Sequence, residues 1–257
     1  MGILEEKRIF ITGVLNTSSI AYAAAEVAIS EGAQVVLSGF GRGLSITQRV
    51  ARKLSSEVRV VELDVSNQEH LDSLAQTLSP WTHIDGVLHS IGYAPPSCIG
   101  GDIFQAPFED VAVAIQVSTF SLKSLIQSLL PLLKSAPKGA SVVGLDFDGQ
   151  VAWPGYNWMG VAKAGLESLT RYLARDCGPD GVRVNLISAG PIRTIAAKSV
   201  ESFSSFQDDW GKKAPLGWDP KDARGVGMSI CALLSEFFPQ TTGEIVHVDG
   251  GYHALGA

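Results

Sequence analysis

The sequence is poor in cysteine, and its few cysteines are widely spaced. Three of the 257 residues are cysteine, namely Cys98, Cys177 and Cys231. An odd and scattered set without a Cys-x-x-Cys pair predicts neither a disulfide framework nor a zinc site. The five histidines lack metal-ligand spacing as well, and no His-Glu-x-x-His motif occurs, so we expect no metal centre. This cysteine usage favours a cytoplasmic protein.

Charge is also scarce, and the balance is acidic. Charged residues make up 18% of the chain, and the formal net charge is -6. Neither nucleic acid nor an anionic membrane is therefore expected as the main partner. The N-terminus has Glu5 and Glu6 ahead of Lys7 and Arg8 rather than a basic start before an apolar run, so no signal peptide is expected. No stretch approaches the length needed to span a bilayer.

Apolar residues are abundant, at 46% of the chain, which is enough to cover both faces of a sheet. They recur in short β-branched runs that are continuously apolar rather than alternating, as in strands buried on both faces. We predict seven strands, at Arg8–Thr12, Gln34–Ser38, Val58–Val65, Gly86–Ser90, Ser141–Phe147, Val182–Ser188 and Glu244–Val248. Helical patterns lie between them, and the longest is around Phe108–Lys134.

The alternation of strand and helix predicts an α/β fold with a doubly wound parallel sheet. No internal repeat, low-complexity tract or linker interrupts residues 1–257, so we predict a single Rossmann-type domain. Folds of this kind bind ligands at the carboxyl ends of the strands, near the switch in strand order. Residues that directly follow each strand are therefore the candidates for chemistry.

The ends of the first two strands carry candidate cofactor residues. Gly13 permits a tight turn, and Ser19 stands where a helix should begin, where free amides suit a pyrophosphate. The usual G-x-G-x-x-G motif is absent, so a plain N-cap role for Ser19 is at least as good an interpretation. Phe40 can stack on adenine or be a loop aromatic. No acid stands there for the adenosine ribose. Arg42 can attract a 2′-phosphate, which leaves NADPH open, although a solvated arginine is the favoured interpretation.

The next two strand ends add weaker signals. Asp64 and Val65 close the third strand, where a carboxylate or backbone group can meet the adenine edge; a loop-capping aspartate is the alternative. Ser90, Ile91 and Gly92 follow the fourth strand, and Gly92 lets the backbone approach a ribose closely. Each signal is weak alone, but four successive strand ends together indicate a dinucleotide site.

The fifth strand is followed by the candidate catalytic residues. Tyr156 and Lys163 are two helical turns apart and share one helix face. A tyrosine hydroxyl can donate a hydrogen bond to an oxyanion on a substrate carbonyl, and a lysine can hold ribose hydroxyls. A core tyrosine and a solvated lysine are the alternative. Asp146 and Asp148 stand close together, but such a strand-end pair is more often loop chemistry than an acid/base dyad.

The sixth strand leads into a fixed Gly-Pro turn. Ile192 follows this turn, where it can lean against a nicotinamide ring. The segment at about 195–215 is rich in serine and aromatic residues and poor in strand signal. We predict that it is a substrate lid.

Together these motifs resemble the short-chain dehydrogenase/reductase superfamily, and within it the enoyl-[acyl-carrier-protein] reductases of the NADH-dependent mycobacterial type, the isoniazid target. The spacing Tyr-x6-Lys is the most diagnostic feature, since ketoreductases of the superfamily carry Tyr-x3-Lys. The motifs span nearly the whole chain and include Gly13-x5-Ser19-Ile20-Ala21, Ser38-Gly39-Phe40, Leu63-Asp64-Val65, His89-Ser90-Ile91-Gly92, Asp146-Phe147-Asp148, Tyr156-Asn157-Trp158-Met159, Ala162-Lys163 and Ala189-Gly190-Pro191-Ile192-Arg193-Thr194.

The resemblance implies hydride transfer from NADH to C3 of a trans-2-enoyl thioester of acyl carrier protein or CoA, in type II fatty-acid synthesis. Phe147 would lie beside the nicotinamide and the acyl chain, Tyr156 would bond the thioester carbonyl, and Met159 would contact substrate. Lys163 would position the cofactor. The cofactor contacts implied are Gly13, Ser19, Ile20, Phe40, Asp64, Val65, Ser90, Ile91, Gly92, Lys163, Ile192 and Thr194. A homotetramer is implied by analogy.

One departure concerns the lid, which is shorter than in the mycobacterial enzymes and puts a preference for very long acyl chains in doubt. Two other functions stay open. A ketoreductase of the same fold is disfavoured by the Tyr-x6-Lys spacing. A catalytically silent dinucleotide-binding regulator is disfavoured because Tyr156, Lys163 and Phe147 are all present.

Overall fold

A computed structural model of the protein describes residues 2–194 and 209–256, and one parallel sheet lies at its centre. Within these residues seven strands pair in the order β3-β2-β1-β4-β5-β6-β7. The strands are β1 (Arg8–Ile11), β2 (Gln34–Gly39), β3 (Arg59–Glu62), β4 (Gly86–His89), β5 (Ala140–Asp146), β6 (Val182–Ala189) and β7 (Ile245–Val248). The predicted doubly wound parallel sheet is confirmed, and each predicted strand overlaps an observed one.

Helices cover both faces of the sheet, because each right-handed crossover returns the chain to a parallel strand. The helices are α1 (Ile20–Ser30), α2 (Gly41–Leu54), α3 (Gln68–Thr77), α4 (Phe108–Ile115), α5 (Ser121–Lys134), α6 (Asn157–Cys177) and α7 (Arg224–Leu234). One apolar layer packs α1 and α7 on the sheet, and the other packs α3, α5 and α6 on the opposite face. Each fully buried leucine or isoleucine in these layers stabilises the fold by about 1.5–3 kcal/mol.

The longest predicted helix is interrupted, contrary to expectation. A π-helical turn, Gln116–Phe120, separates α4 from α5. Thr119 Oγ1 donates a hydrogen bond to the carbonyl oxygen of Ala162 at 2.6 Å, and Ser118 Oγ donates to that of Tyr93 at 2.8 Å. These contacts hold the wider turn against α6 and the loop after β4. A single π turn shifts the helix register by one residue, which the apolar spacing does not reveal.

The expectation that no stretch approaches membrane-spanning length was wrong, because by length and composition alone Phe108–Lys134 is long and apolar enough to cross a membrane. Half of its apolar window is buried within the fold. Leu122, Leu125 and Leu129 are fully buried in the layer that covers the sheet. Its apolar character is thus accounted for by core packing of an α/β fold.

The crevice between β1 and β4 is the switch point in strand order, where such sheets bind ligands. Thr12 Oγ1 bridges the two strand ends, since it donates to the Leu88 carbonyl and accepts from the Ser90 amide, each at 3.0 Å. Gly13 follows with a φ of 82°. A Cβ at Gly13 would lie 1.9 Å from the Ser90 carbonyl oxygen. The crevice therefore requires glycine at this position.

We predict that Gly13→Ala lowers the free energy of unfolding by about 3 kcal/mol or more, because left-handed strain adds to a backbone collision. Gly41→Ala is the matched control, since Gly41 has a φ of 51° and a Cβ added there would meet no described atom within 4 Å. It should cost about 1 kcal/mol, from strain alone. Urea denaturation measures both losses, and equal losses would contradict the close approach at the crevice.

Candidate active site

Lys163 joins helix α6 to the end of strand β5. Its side chain is buried, and Nζ donates a hydrogen bond to the carbonyl oxygen of Leu145 at 2.7 Å. Burial lowers the pKa of Lys163, and the nearby Asp146 carboxyl opposes that shift. An ammonium has three N–H donors, so two remain for a ligand at the carboxyl edge of the sheet.

Tyr156 lies immediately before α6 and meets Phe147, which follows β5. The two rings are edge to face, with centroids 5.3 Å apart. Burial raises the pKa of the Tyr156 hydroxyl, and nearby Asp146 raises it further, so the phenol stays protonated at neutral pH. Within residues 2–194 and 209–256 this hydroxyl has no hydrogen-bond partner. It is available as a donor to a ligand.

The start of α6 is fixed by Asn157. Its φ of 42° is left-handed, a conformation that asparagine tolerates better than most residues. Its Nδ2 donates a hydrogen bond to the Gly100 carbonyl oxygen at 2.7 Å. The loop before α4 therefore holds the helix end that carries Tyr156.

Two buried carboxyls surround Lys163. Asp146 ends β5, and burial raises its pKa above the ordinary 3.8; the Lys163 ammonium opposes this rise, whereas Glu167 adds to it. Glu167 stands one turn beyond Lys163, and its Oε1 accepts a hydrogen bond from the Gly149 amide at 2.7 Å. Glu167 thus fastens the loop after β5 to α6. Asp148 has an ordinary loop role, as expected, since its Oδ1 accepts from the Gln150 amide at 2.9 Å.

At the switch point, the side chain of Ser19 is a helix cap. Its Oγ accepts from the Tyr22 amide at 3.2 Å and donates to the Asn16 carbonyl oxygen at 2.8 Å. The amides of Ile20 and Ala21 meet no acceptor in the described part of the chain. These two free N–H groups at the start of α1 fit a pyrophosphate.

At the ends of β2 and β3 as well, some predicted cofactor groups are accessible to a ligand and others are used by the fold itself. Phe40 is 54% exposed at the start of α2, and Arg42 beside it is exposed. Asp64 caps its own loop, because its Oδ1 accepts from the Ser66 amide and hydroxyl at 2.9 and 2.6 Å. Val65 is buried in the core. One carboxylate oxygen of Asp64 therefore caps the loop, as the alternative interpretation predicts, and the other oxygen is left for a ligand.

The fourth strand end leaves open space for a ligand. Gly92 is exposed, and the nearest atom to a Cβ placed there is Ser118 Oγ, at 3.9 Å. Chain packing therefore does not require glycine, whereas close approach of a ribose would. Ser90 and Ile91 are half-buried beside it.

Two of the predicted contact residues, Ile192 and Met159, are buried. Ile192 is 4% exposed and packs with Ala23 and Ala223. Met159 is buried in the cluster beneath α4, where the Tyr156 ring packs against it. Thr194 ends the first described range, and its amide donates to the Ile192 carbonyl oxygen at 2.7 Å. The structure brings Tyr156, Phe147 and Lys163 together and sets Met159 behind the Tyr156 ring.

Residues 195–208 of the predicted lid lie outside the described residues. The rest of the lid begins with helical residues 209–213, which carry Trp210. With Phe147, Trp153 and Tyr252, Trp210 forms what we call the aromatic box. Sequence reasoning missed three of these four rings, because they come from segments after β5, β6 and β7. The sequence did contain a signal for this cluster, because aromatic residues follow three strands that are neighbours in the sheet.

His89 and Glu167 were also missed as neighbours of the site. His89 is fully buried in β4, and its Nε2 lies 2.8 Å from Ser121 Oγ. Burial, together with the Lys163 charge, lowers the pKa of His89 to about 3. The ring is therefore neutral at physiological pH. A histidine inside a strand and a glutamate one turn after the lysine were the signals in the sequence.

Comparison with known proteins identifies the family. A sequence model described as "Enoyl-(Acyl carrier protein) reductase" matches residues 13–253. The chain belongs to the enoyl-(acyl carrier protein) reductase family. The resemblance indicated by the motifs is therefore confirmed, including the placement in the short-chain dehydrogenase/reductase superfamily.

Relatives of this reductase family match nearly end to end. The enoyl-[acyl-carrier-protein] reductase [NADH] of Mycolicibacterium smegmatis is 43% identical, over 97% of this chain and 97% of that protein. The corresponding NADH enzyme of Aquifex aeolicus is 39% identical, over 100% of this chain and 94% of that protein. The enoyl-[acyl-carrier-protein] reductase [NADPH] of Staphylococcus aureus is 36% identical, over 98% of each.

The raised pKa of Asp146 predicts a pH effect on stability. Above pH 3.8 the unfolded chain releases this proton while the folded protein keeps it. Stability should therefore fall as pH rises towards neutrality, by up to about 1.4 kcal/mol per pH unit. In Asp146→Asn this loss should be absent. Urea denaturation from about pH 4 to 7 measures the difference between the two proteins.

The comparison with Asp146→Asn is needed because His89 changes stability with pH in the opposite direction. Its pKa is lowered from 6.5 to about 3 on folding, so its contribution to stability grows as pH rises to its unfolded-state value. Both proteins share that contribution, and it cancels in the difference. Parallel stability curves for wild type and variant would show that Asp146 is ionised in the folded protein.

Proposed function

We propose that the chain is an NADH-dependent enoyl-[acyl-carrier-protein] reductase that reduces the trans-2 double bond of enoyl thioesters in type II fatty-acid synthesis. The observation that carries this proposal is the position of the Tyr156 hydroxyl, which has no partner among the described residues and lies beside Phe147, two turns from the buried Lys163 amine. The names of the relatives from M. smegmatis and A. aeolicus support enoyl reduction with NADH. One catalytic domain over residues 1–257, with a lid at about 195–215, is part of the proposal.

When bound, NADH supplies the hydride that C3 of the substrate receives. Tyr156 donates a hydrogen bond to the thioester oxygen, where negative charge develops as the enolate forms, and this bond lowers the barrier. C2 then takes up a proton, which completes the saturated thioester. Lys163 holds the cofactor ribose through the N–H groups that Leu145 leaves unused. Phe147 packs beside the reacting carbons and excludes water from them.

The remaining cofactor contacts follow from the strand ends. The free amides of α1 suit the pyrophosphate, Gly92 lets the ribose approach, and Phe40 offers an exposed ring for adenine. Asp64 keeps one oxygen for the adenine edge. The full proposed set is Gly13, Ser19, Ile20, Phe40, Asp64, Val65, Ser90, Ile91, Gly92, Lys163, Ile192 and Thr194, with Tyr156, Phe147 and Met159 on the substrate side. NADPH is the less favoured cofactor, and the exposed Arg42 is its one local support.

The partner would be an acyl carrier protein or CoA thioester, and the assembly a homotetramer. Exposed apolar side chains on adjoining α4, the π turn and α6 support association, among them Phe108, Phe120, Val161 and Tyr172. A group of exposed apolar side chains of this kind is more often an interface with another protein than a surface that stays in contact with water. All three cysteines are free and buried, in keeping with the cytoplasm as its location.

One assay separates enoyl reduction from ketoreduction. Purified protein is mixed with NADH and either a trans-2-enoyl or a 3-ketoacyl thioester, and absorbance of the reduced nicotinamide is followed. We expect oxidation of NADH with the enoyl substrate alone. Turnover of the ketoacyl thioester without enoyl turnover would replace the proposal by a ketoreductase, and binding of NADH without either turnover would indicate a silent regulator.

Tyr156→Phe should lower kcat by about 100-fold, because it removes one hydrogen bond to the developing oxyanion. NADH affinity should stay unchanged, since the hydroxyl is assigned to the substrate. Tyr172→Phe, on the exposed side of the same helix, is the control and should behave as wild type, because it removes only a hydroxyl and keeps the apolar ring assigned to association. Steady-state kinetics and NADH titration give both values. A wild-type rate in Tyr156→Phe would remove the phenol from the mechanism.

Lys163→Ala should weaken NADH binding by roughly 10-fold to 100-fold, the effect of losing a charge-assisted hydrogen bond. The exposed Lys138, which pairs with Glu236 at 3.4 Å, provides the control variant Lys138→Ala with unaltered affinity. Fluorescence titration with NADH measures both. Undiminished affinity in a folded Lys163→Ala protein would count against a role in holding cofactor.

A further inference from the structure

The aromatic box fills the space next to Phe147 and Tyr156. Trp210 stacks on Tyr252 with ring centroids 3.7 Å apart and an interplanar angle of 9°. Trp153 lies 5.2 Å from Trp210 and 5.0 Å from Phe147, centroid to centroid. Such separations are those of favourable aromatic pairs. The rings therefore support one another as a unit.

Little room is left inside the box. The cavity that its rings line has a volume of about 10 Å³, which is space for about one water molecule. Trp210 itself is 2% exposed, so the box is closed to solvent on that side. An acyl tail of several methylene groups cannot enter the cavity unless a ring moves.

The box is held in place from three sides. Trp153 Nε1 donates to the Asp148 carbonyl oxygen at 2.8 Å. A Cβ at Gly190 would lie 3.0 Å from Trp210 Nε1, so the floor beneath that indole is tight. The Asp249 carboxylate accepts from the Gly251 and His253 amides at 2.9 and 2.8 Å, which fixes the turn that carries Tyr252. Movement of the rings therefore costs packing and hydrogen bonds.

The thioester must lie with its tail towards the box. Its carrier end, whether protein or CoA, is too large to be buried and has to reach solvent. With the carbonyl oxygen at Tyr156, we infer that the carbons beyond C3 run past Phe147, whose ring lies 5.3 Å from that of Tyr156, towards the rings on its other side. Trp210, Trp153 and Tyr252 occupy that interior space and pack on the same cluster as Tyr156 and Phe147.

We propose that the aromatic box closes the acyl end of the substrate site and makes the enzyme selective for short-chain 2-enoyl thioesters. This inference rests on the proposed function, which it deepens by naming the substrate class. Trp153 and Tyr252 are assigned the limit on acyl-chain length. Both are half-buried and so lie at the edge of the box, whereas Trp210 is almost fully buried.

The experiment compares trans-2-enoyl-CoA substrates from four to sixteen carbons with NADH. For wild type, kcat/KM should be highest at the short end and fall at least about tenfold by twelve carbons, the scale at which a filled apolar site rejects extra methylenes. In Trp153→Ala and Tyr252→Ala, the ratio of twelve-carbon to four-carbon kcat/KM should rise by at least about tenfold. Phe237→Ala, at an exposed aromatic outside the box, is the control and should keep the wild-type ratio.

The readout is a ratio within one preparation, so a smaller folded fraction in a variant cancels. Undiminished kcat/KM at twelve or sixteen carbons in wild type would show that the box does not limit acyl-chain length. The reductase proposal would still stand. An unchanged ratio in both box variants would lead to the same conclusion. Failure to turn over any enoyl thioester, the four-carbon one included, would instead overturn the proposed function and this inference with it.

Discussion

A buried ammonium sets the geometry on which the rest of the site depends. Lys163 of α6 is 7% exposed and donates to the carbonyl oxygen of Leu145 in β5 at 2.7 Å. Burying an amine costs a few kcal/mol unless it is hydrogen-bonded, so this bond favours the register in which α6 docks on β5. A slip by one turn would move the helix by about 5.4 Å and separate Tyr156 from Phe147. Glu167 reinforces that register through the Gly149 amide.

Much of the fold is readable from the sequence because burial on both faces leaves a continuous apolar run at each strand. The observed strands lie within the predicted ones or extend them by one residue. Gly13 was recognisable because the switch point needs a residue with positive φ and no side chain. The Tyr156–Lys163 spacing was recognisable because two helical turns place residues on one face. Each of these signals is local.

What the sequence did not reveal depends on contacts between distant segments. The aromatic box joins Phe147 and Trp153 to Trp210 and Tyr252, and no periodicity links them. The π turn arises from side chains that bond across to α6. Ser19 and Asp64 show a different limit: short polar side chains also serve their own backbone, so these two cap loops in addition to any ligand role. At those positions the chain can therefore bind the cofactor mainly through backbone groups and through the open space beside them.

The final position of the transferred hydrogen tests most directly whether Tyr156, Phe147 and Lys163 form a site for enoyl reduction. NADH carrying deuterium at the transferred position is incubated with the protein and a short trans-2-enoyl thioester, and the product is examined by mass spectrometry and NMR. Deuterium at C3 of the saturated thioester is the expected result. Deuterium at C2, or at the carbonyl carbon of an alcohol product, would contradict the assignment of these residues.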